Sequence, residues 1–100
     1  MITHVVMFKF KAENKASNIA SALEQLRGMV GRVPSLRSLE AGVHCAPSGA
    51  RSQDLALVTR FVDLAGLSAY AEHPVHVEVK TFLAGVVEAS YVVDFESAPA

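Results

Sequence analysis

Tryptophan is absent, and cysteine occurs once, at Cys45, in a chain of 100 residues. A lone thiol excludes an internal disulfide framework and fits a reducing compartment. The expected place of Cys45 is as a small buried hydrophobe on a strand. No apolar run approaches the roughly 20 residues that a membrane-spanning helix needs. Met1-Ile2-Thr3-His4 lacks the basic region and long apolar stretch of a signal peptide. Excess charge of either sign is also missing, since 9 Lys+Arg against 10 Asp+Glu leave a net charge of -1. That balance argues against a general affinity for nucleic acid or anionic membrane. These absences lead to the expectation of a soluble, cytoplasmic protein with neither kind of partner. What the chain does have is apolar residues, 51% of the total against 19% charged. This surplus implies apolar surface that still needs cover once a single domain has folded.

Alternation and turn residues divide the chain. Thr3 to Lys11 reads as a strand, with His4, Val6, Phe8 and Phe10 on one face and Val5, Met7, Lys9 and Lys11 on the other. Ile19, Leu23, Leu26, Met29, Val30 and Val33 recur at helical spacing, so a helix capped by Asn14 or Ser17 is expected to run to Pro34. Leu36 to about Ala46 is a second strand carrying Leu39, Ala41, Val43 and Cys45 inward. The polar loop Pro47 to Ser52 joins it to a third strand, Leu55 to Val62. Asp63 caps a short helix with Leu64, Leu67 and Ala71. Pro74 starts another, with Val75, Val79, Phe82 and Leu83 inward and Gly85 as its end. Val86 to Phe95 is the last strand.

The order β-α-β-β-α-α-β predicts an α+β, ferredoxin-like split βαβ domain with a four-stranded antiparallel sheet and helices on one face. Residues 1–96 form the domain and residues 97–100 a flexible tail. The helices leave Val5, Met7, Ala56, Val58, Tyr91, Val93 and Phe95 on the opposite face. A patch of that kind is rarely left in water, so a homodimer packed sheet to sheet is expected.

Proton-active groups are densest in Tyr70-Ala71-Glu72-His73-Pro74-Val75-His76. The proline resets the helix between Tyr70 and His76, so the two side chains can converge from two directions. Histidine titrates near neutral pH and suits His76 to general-base work. Asp94 is expected to fix its tautomer, and Tyr70 to donate a hydrogen bond to an oxyanion. His4, Val6, Phe8, Leu26, Leu57 and Phe82 are the expected lining of a pocket for a small, largely apolar carbonyl or aromatic compound. The same residues admit a structural reading: a His76–Asp94 pair tying helix to sheet, and Tyr70 as a core aromatic. An interior filled by Phe8, Leu26, Leu57 and Phe82 would exclude a ligand. His73 serves the proline joint, and its spacing from His76 makes no metal site without further ligands.

The chain resembles the stress-responsive α/β-barrel (Dabb) family in His4 to Lys11, Val33-Pro34-Ser35-Leu36, Leu55 to Val58 with Phe61, Tyr70 with His73-Pro74-Val75-His76, and Val93-Asp94-Phe95. The resemblance implies a dimeric α+β barrel. The family includes a cofactor-free polyketide cyclase that performs an aldol condensation. The resemblance to it implies a catalytic tyrosine at Tyr70, a catalytic histidine at His76, a pocket histidine at His4 and a carboxylate at Asp94, with no cofactor. The chain departs from that enzyme at Leu55, where a further pocket histidine is absent, and at Ala22, Leu23 and Leu26, where aromatics are absent. Two other readings are a stress-associated or structural dimer without activity, and a cofactor-free monooxygenase of the antibiotic-biosynthesis type.

Overall fold

The computed structural model describes residues 1–98. The elements are β1 (Ile2–Phe10), α1 (Lys15–Arg27), β2 (Ser38–Val43), β3 (Leu55–Phe61), α2 (Leu64–Glu72), α3 (Pro74–Val86) and β4 (Val87–Glu96). The strands form a four-stranded antiparallel sheet in the order β2-β3-β1-β4. This is the ferredoxin-like α+β architecture that the element order implies.

Strand alternation sets the layers. Ile2, Val6, Phe8 and Phe10 of β1 and Leu55, Leu57, Thr59 and Phe61 of β3 are buried beneath the helices. Leu26, Met29 and Val33 meet them from the helical layer. On the other face Met7, Tyr91, Val93 and Phe95 are each more than 40% exposed. The register sets Val5 opposite Val93 and Met7 opposite Tyr91, so these side chains form one continuous apolar surface.

Several local expectations need correction. Helix α1 ends at Arg27 and does not reach Pro34. Met29, Val30 and Arg32 donate to carbonyls three residues back, and Gly31 takes φ +81. Gly28 and Gly31 make continued helix costly, and a left-handed glycine turns the chain instead. Met29 and Val33 are still buried, because the turns follow the core that the helix would have followed. Asn14 precedes α1 in the left-handed conformation, which asparagine tolerates, and its side chain makes no cap.

Strand β2 stops at Val43, so Cys45 lies beyond it and is exposed, not buried. In α2 the inward positions belong to Tyr70 and, in part, Leu67, while Leu64 and Ala71 are exposed. Gly85 does not end α3, which runs to Val86 and passes directly into β4. Lys11 satisfies the helix end, its amide donating to the Val86 carbonyl and its ammonium to that of Gly85. At the C-terminus, Ser97 exchanges backbone hydrogen bonds with Met1, and the Ala98 carbonyl accepts from Arg60. The remainder of the expected tail lies outside the described residues.

Candidate functional site

The proline break works through His73. Its Nδ1 accepts the Val75 amide hydrogen at 3.1 Å and caps α3, so its own ring serves the backbone. Asp63 caps α2 in the same manner, accepting from the Gly66 amide at 2.8 Å. These two caps bring the end of α2 and the start of α3 to one point over the sheet. Tyr70 and His76 meet there with ring centroids 4.3 Å apart. Phe61 packs on Tyr70 at 5.0 Å, and His4 of β1 approaches its edge at 6.3 Å.

Asp94 does not orient His76. The β1–β4 register sets Asp94 directly opposite His4, and its carboxylate bonds to His4 Nδ1. A directly opposed pair on one face is the shortest cross-strand contact available, and it engages the carboxylate first. The partner of His76 is the Ala71 carbonyl, 3.0 Å from Nδ1. A carbonyl only accepts, so Nδ1 carries the proton and the neutral ring presents Nε2 as its base. The expected tautomer control is therefore present, but the backbone supplies it.

Burial pushes the His76 pKa below its ordinary value. The Ala71 hydrogen bond opposes that shift, and the charges of Lys80 and His4 add to it. His76 is thus a neutral base near pH 7. Tyr70 is 1% exposed, and its hydroxyl has no hydrogen-bond partner among the described residues. Desolvation raises its pKa to about 12, so the phenol keeps its proton and can donate it in a hydrogen bond.

These groups line one end of a cavity of about 540 Å³ between α3 and strands β1 and β4. Val6, Phe8, Leu26 and Leu57 form part of its apolar wall, together with Val79 and Leu83. The interior is therefore not filled by Phe8, Leu26 and Leu57. Phe82 is a correction: it is half-buried, packs against the core and does not line the cavity. Asp94 reaches the site only through His4. Lys80, Glu88 and Ser90 also line the cavity and were not among the expected residues. Lys80 follows His76 by one helical turn, and Ser90 shares a strand face with Asp94, so the two periodicities already carried that signal.

The sequence profile of the stress responsive A/B barrel domain, Dabb, matches residues 2–97. The chain belongs to the Dabb family. A stress-response A/B barrel domain-containing protein of Arabidopsis thaliana is 29% identical over 94 residues, covering 92% of this chain and 82% of that protein. A crystal structure from Bacteroides fragilis, described as a dimeric protein of unknown function with a ferredoxin-like fold, shares 27% identity at a TM-score of 0.86. The match covers 96% of this chain and 95% of that one. A hydroxynitrile lyase from Passiflora edulis superposes with a TM-score of 0.82 over 98% of this Dabb chain and 96% of its own, at 16% identity. That likeness is one of fold alone. No helix among the described residues is long and apolar enough to cross a membrane.

Proposed function

We propose that this Dabb protein is a homodimer that binds a small, largely apolar carbonyl compound and enolises it without a cofactor, as a cyclase- or lyase-type enzyme. The observation that carries the reading is Tyr70, a cavity-lining residue whose buried hydroxyl has no hydrogen-bond partner among the described residues and whose ring sits beside a neutral His76. A buried donor without an acceptor costs about 1–3 kcal/mol, and a ligand oxygen would satisfy it.

In this reading His76 Nε2 removes a proton from the carbon next to the ligand carbonyl. The C–H electron pair moves into the carbonyl, whose oxygen becomes an enolate. The Tyr70 hydroxyl donates to that oxygen. The enolate carbon then attacks a second carbonyl in the same molecule, and His76 returns the proton to the resulting alkoxide. His4, held by Asp94, supplies a second polar group at the same end of the cavity. Val6, Phe8, Leu26 and Leu57 take the apolar part of the ligand. The exposed face of Met7, Tyr91, Val93 and Phe95, together with the dimeric description of the Bacteroides structure, supports the homodimer. The single, exposed thiol of Cys45 agrees with a reducing, cytoplasmic setting.

Deuterium uptake at the α-carbon of a simple aryl ketone in heavy water, followed by NMR, tests the chemistry. Wild type should exchange above the buffer rate, and His76→Gln should lose roughly 10²–10⁴ of that rate. Exchange that is unaffected by His76→Gln would refute the assignment. Sedimentation tests the assembly: Val93→Glu should convert the dimer to monomer, and a wild-type monomer at all concentrations would exclude the sheet-to-sheet interface.

A further inference from the structure

The cavity has a second polar region that the enolisation reading leaves unused. Lys80 lines it and has no ion-pair partner among the described residues. It stands four residues after His76 on α3, which places it on the same face and about 6 Å further along the axis. Across the cavity, Ser90 lies opposite Phe8, while Asp94 lies opposite His4. Four residues of strand separate these positions by roughly 13 Å. The nearer carboxylates do not consume the ammonium. Asp94 is engaged by His4, and Glu88, which also lines the cavity, makes no ion pair with Lys80.

We infer that the site takes an acidic carbonyl compound, an oxo acid whose carboxylate rests at Lys80 while its carbonyl oxygen faces Tyr70 and His76. The inference rests on the carbonyl-site reading above and adds the substrate class. One helical turn between base and ammonium matches a carbonyl and a carboxylate two or three carbons apart. The wall formed by Val6, Leu57 and Val79 receives the remaining aryl or alkyl group. Ser90 is placed to offer a hydroxyl to the same anion. Lys80 is then a specificity residue: it selects the anion and holds it in place, while proton transfer stays with His76.

The probes are 4-oxo-4-phenylbutanoate, which carries a carbonyl and a carboxylate two methylenes apart, and its neutral primary amide. Binding of each to the full chain is measured by calorimetry and by NMR shifts of the residues around Tyr70. Wild type should bind the acid roughly ten-fold more tightly than the amide, the scale of one charge-assisted hydrogen bond. Lys80→Gln should bring the acid down to the amide and leave the amide unchanged. Lys80 is exposed, so this variant should fold normally. Equal binding of acid and amide by wild type, or an acid preference that survives Lys80→Gln, would overturn the inference while leaving the carbonyl site intact. If neither compound binds at millimolar concentration, the inference and the carbonyl-site reading fail together.

Discussion

The helix-facing side of the sheet has two flanks, one on each side of β1, and the helices cover them differently. Toward β3, Leu55, Leu57, Thr59 and Phe61 are each no more than 3% exposed, and Leu26, Met29 and Val33 close over them. Toward β4, Ser90, Val92 and Asp94 face the same way yet stay exposed, Val92 by 57%. Helix α1 lies mainly on β2 and reaches β3 and β1, α2 lies on β3 and β1, and α3 packs on α1 and α2 and leaves the cavity between itself and β4. The filled flank holds the fold together through apolar burial. The open flank gathers His4, Tyr70, His76, Lys80 and Ser90 around an unfilled volume.

The sharpest way to break this contrast is to damage the filled flank. Phe61→Ala should destabilise the protein by about 3–5 kcal/mol, read from urea midpoints. A loss below about 1 kcal/mol would mean that the two flanks contribute alike. Tyr70→Phe probes the boundary between them. It removes an unsatisfied hydroxyl while keeping the ring on Phe61, so stability should rise by about 1 kcal/mol as α-proton exchange falls. A destabilised Tyr70→Phe would show that the hydroxyl is satisfied within the fold.

The pH dependence of stability sharpens the comparison further. Folded His76 titrates below its unfolded value of about 6.5. As pH drops below about 6.5 the unfolded chain takes up that proton first, so stability declines until the folded value is passed, then levels off. His76→Gln should remove this component of the slope in denaturation measured across that range, and an unchanged slope would contradict the burial of His76. Asp94→Asn tests a half-exposed cross-strand pair and should cost less than about 1 kcal/mol. Val92→Ala, on the open flank, should stay within about 0.5 kcal/mol of wild type. A larger loss would show that something covers β4.

The order of elements was legible because each depends on neighbours in the chain. Alternation assigned the buried face of β1 and β3, and Asp63 and Pro74 marked the two helix starts. Legibility failed where local signals compete. Apolar spacing continued past Arg27, but Gly28 and Gly31 favoured turns that bury the same Met29 and Val33. Cys45 looked like a strand residue, yet the strand ended at Val43 before reaching it.

At the candidate site, Tyr70 and His76 were readable as a convergent pair because only the short break at His73 and Pro74 separates them. The partner of Asp94 was not readable. His4 lies 90 positions away in the chain, and only the pairing of β1 with β4 sets the two side chains opposite each other. The backbone carbonyl that fixes the His76 tautomer carries no sequence signal at all, since every residue has one. Composition and periodicity thus determined the class of fold, the apolar outer face and the proton-active stretch. Strand register and the seating of α3 decided which acid meets which histidine, why Phe82 packs away from the cavity, and that the cavity stays open. Those depend on pairings between distant segments, whose register is set only when the whole sheet closes.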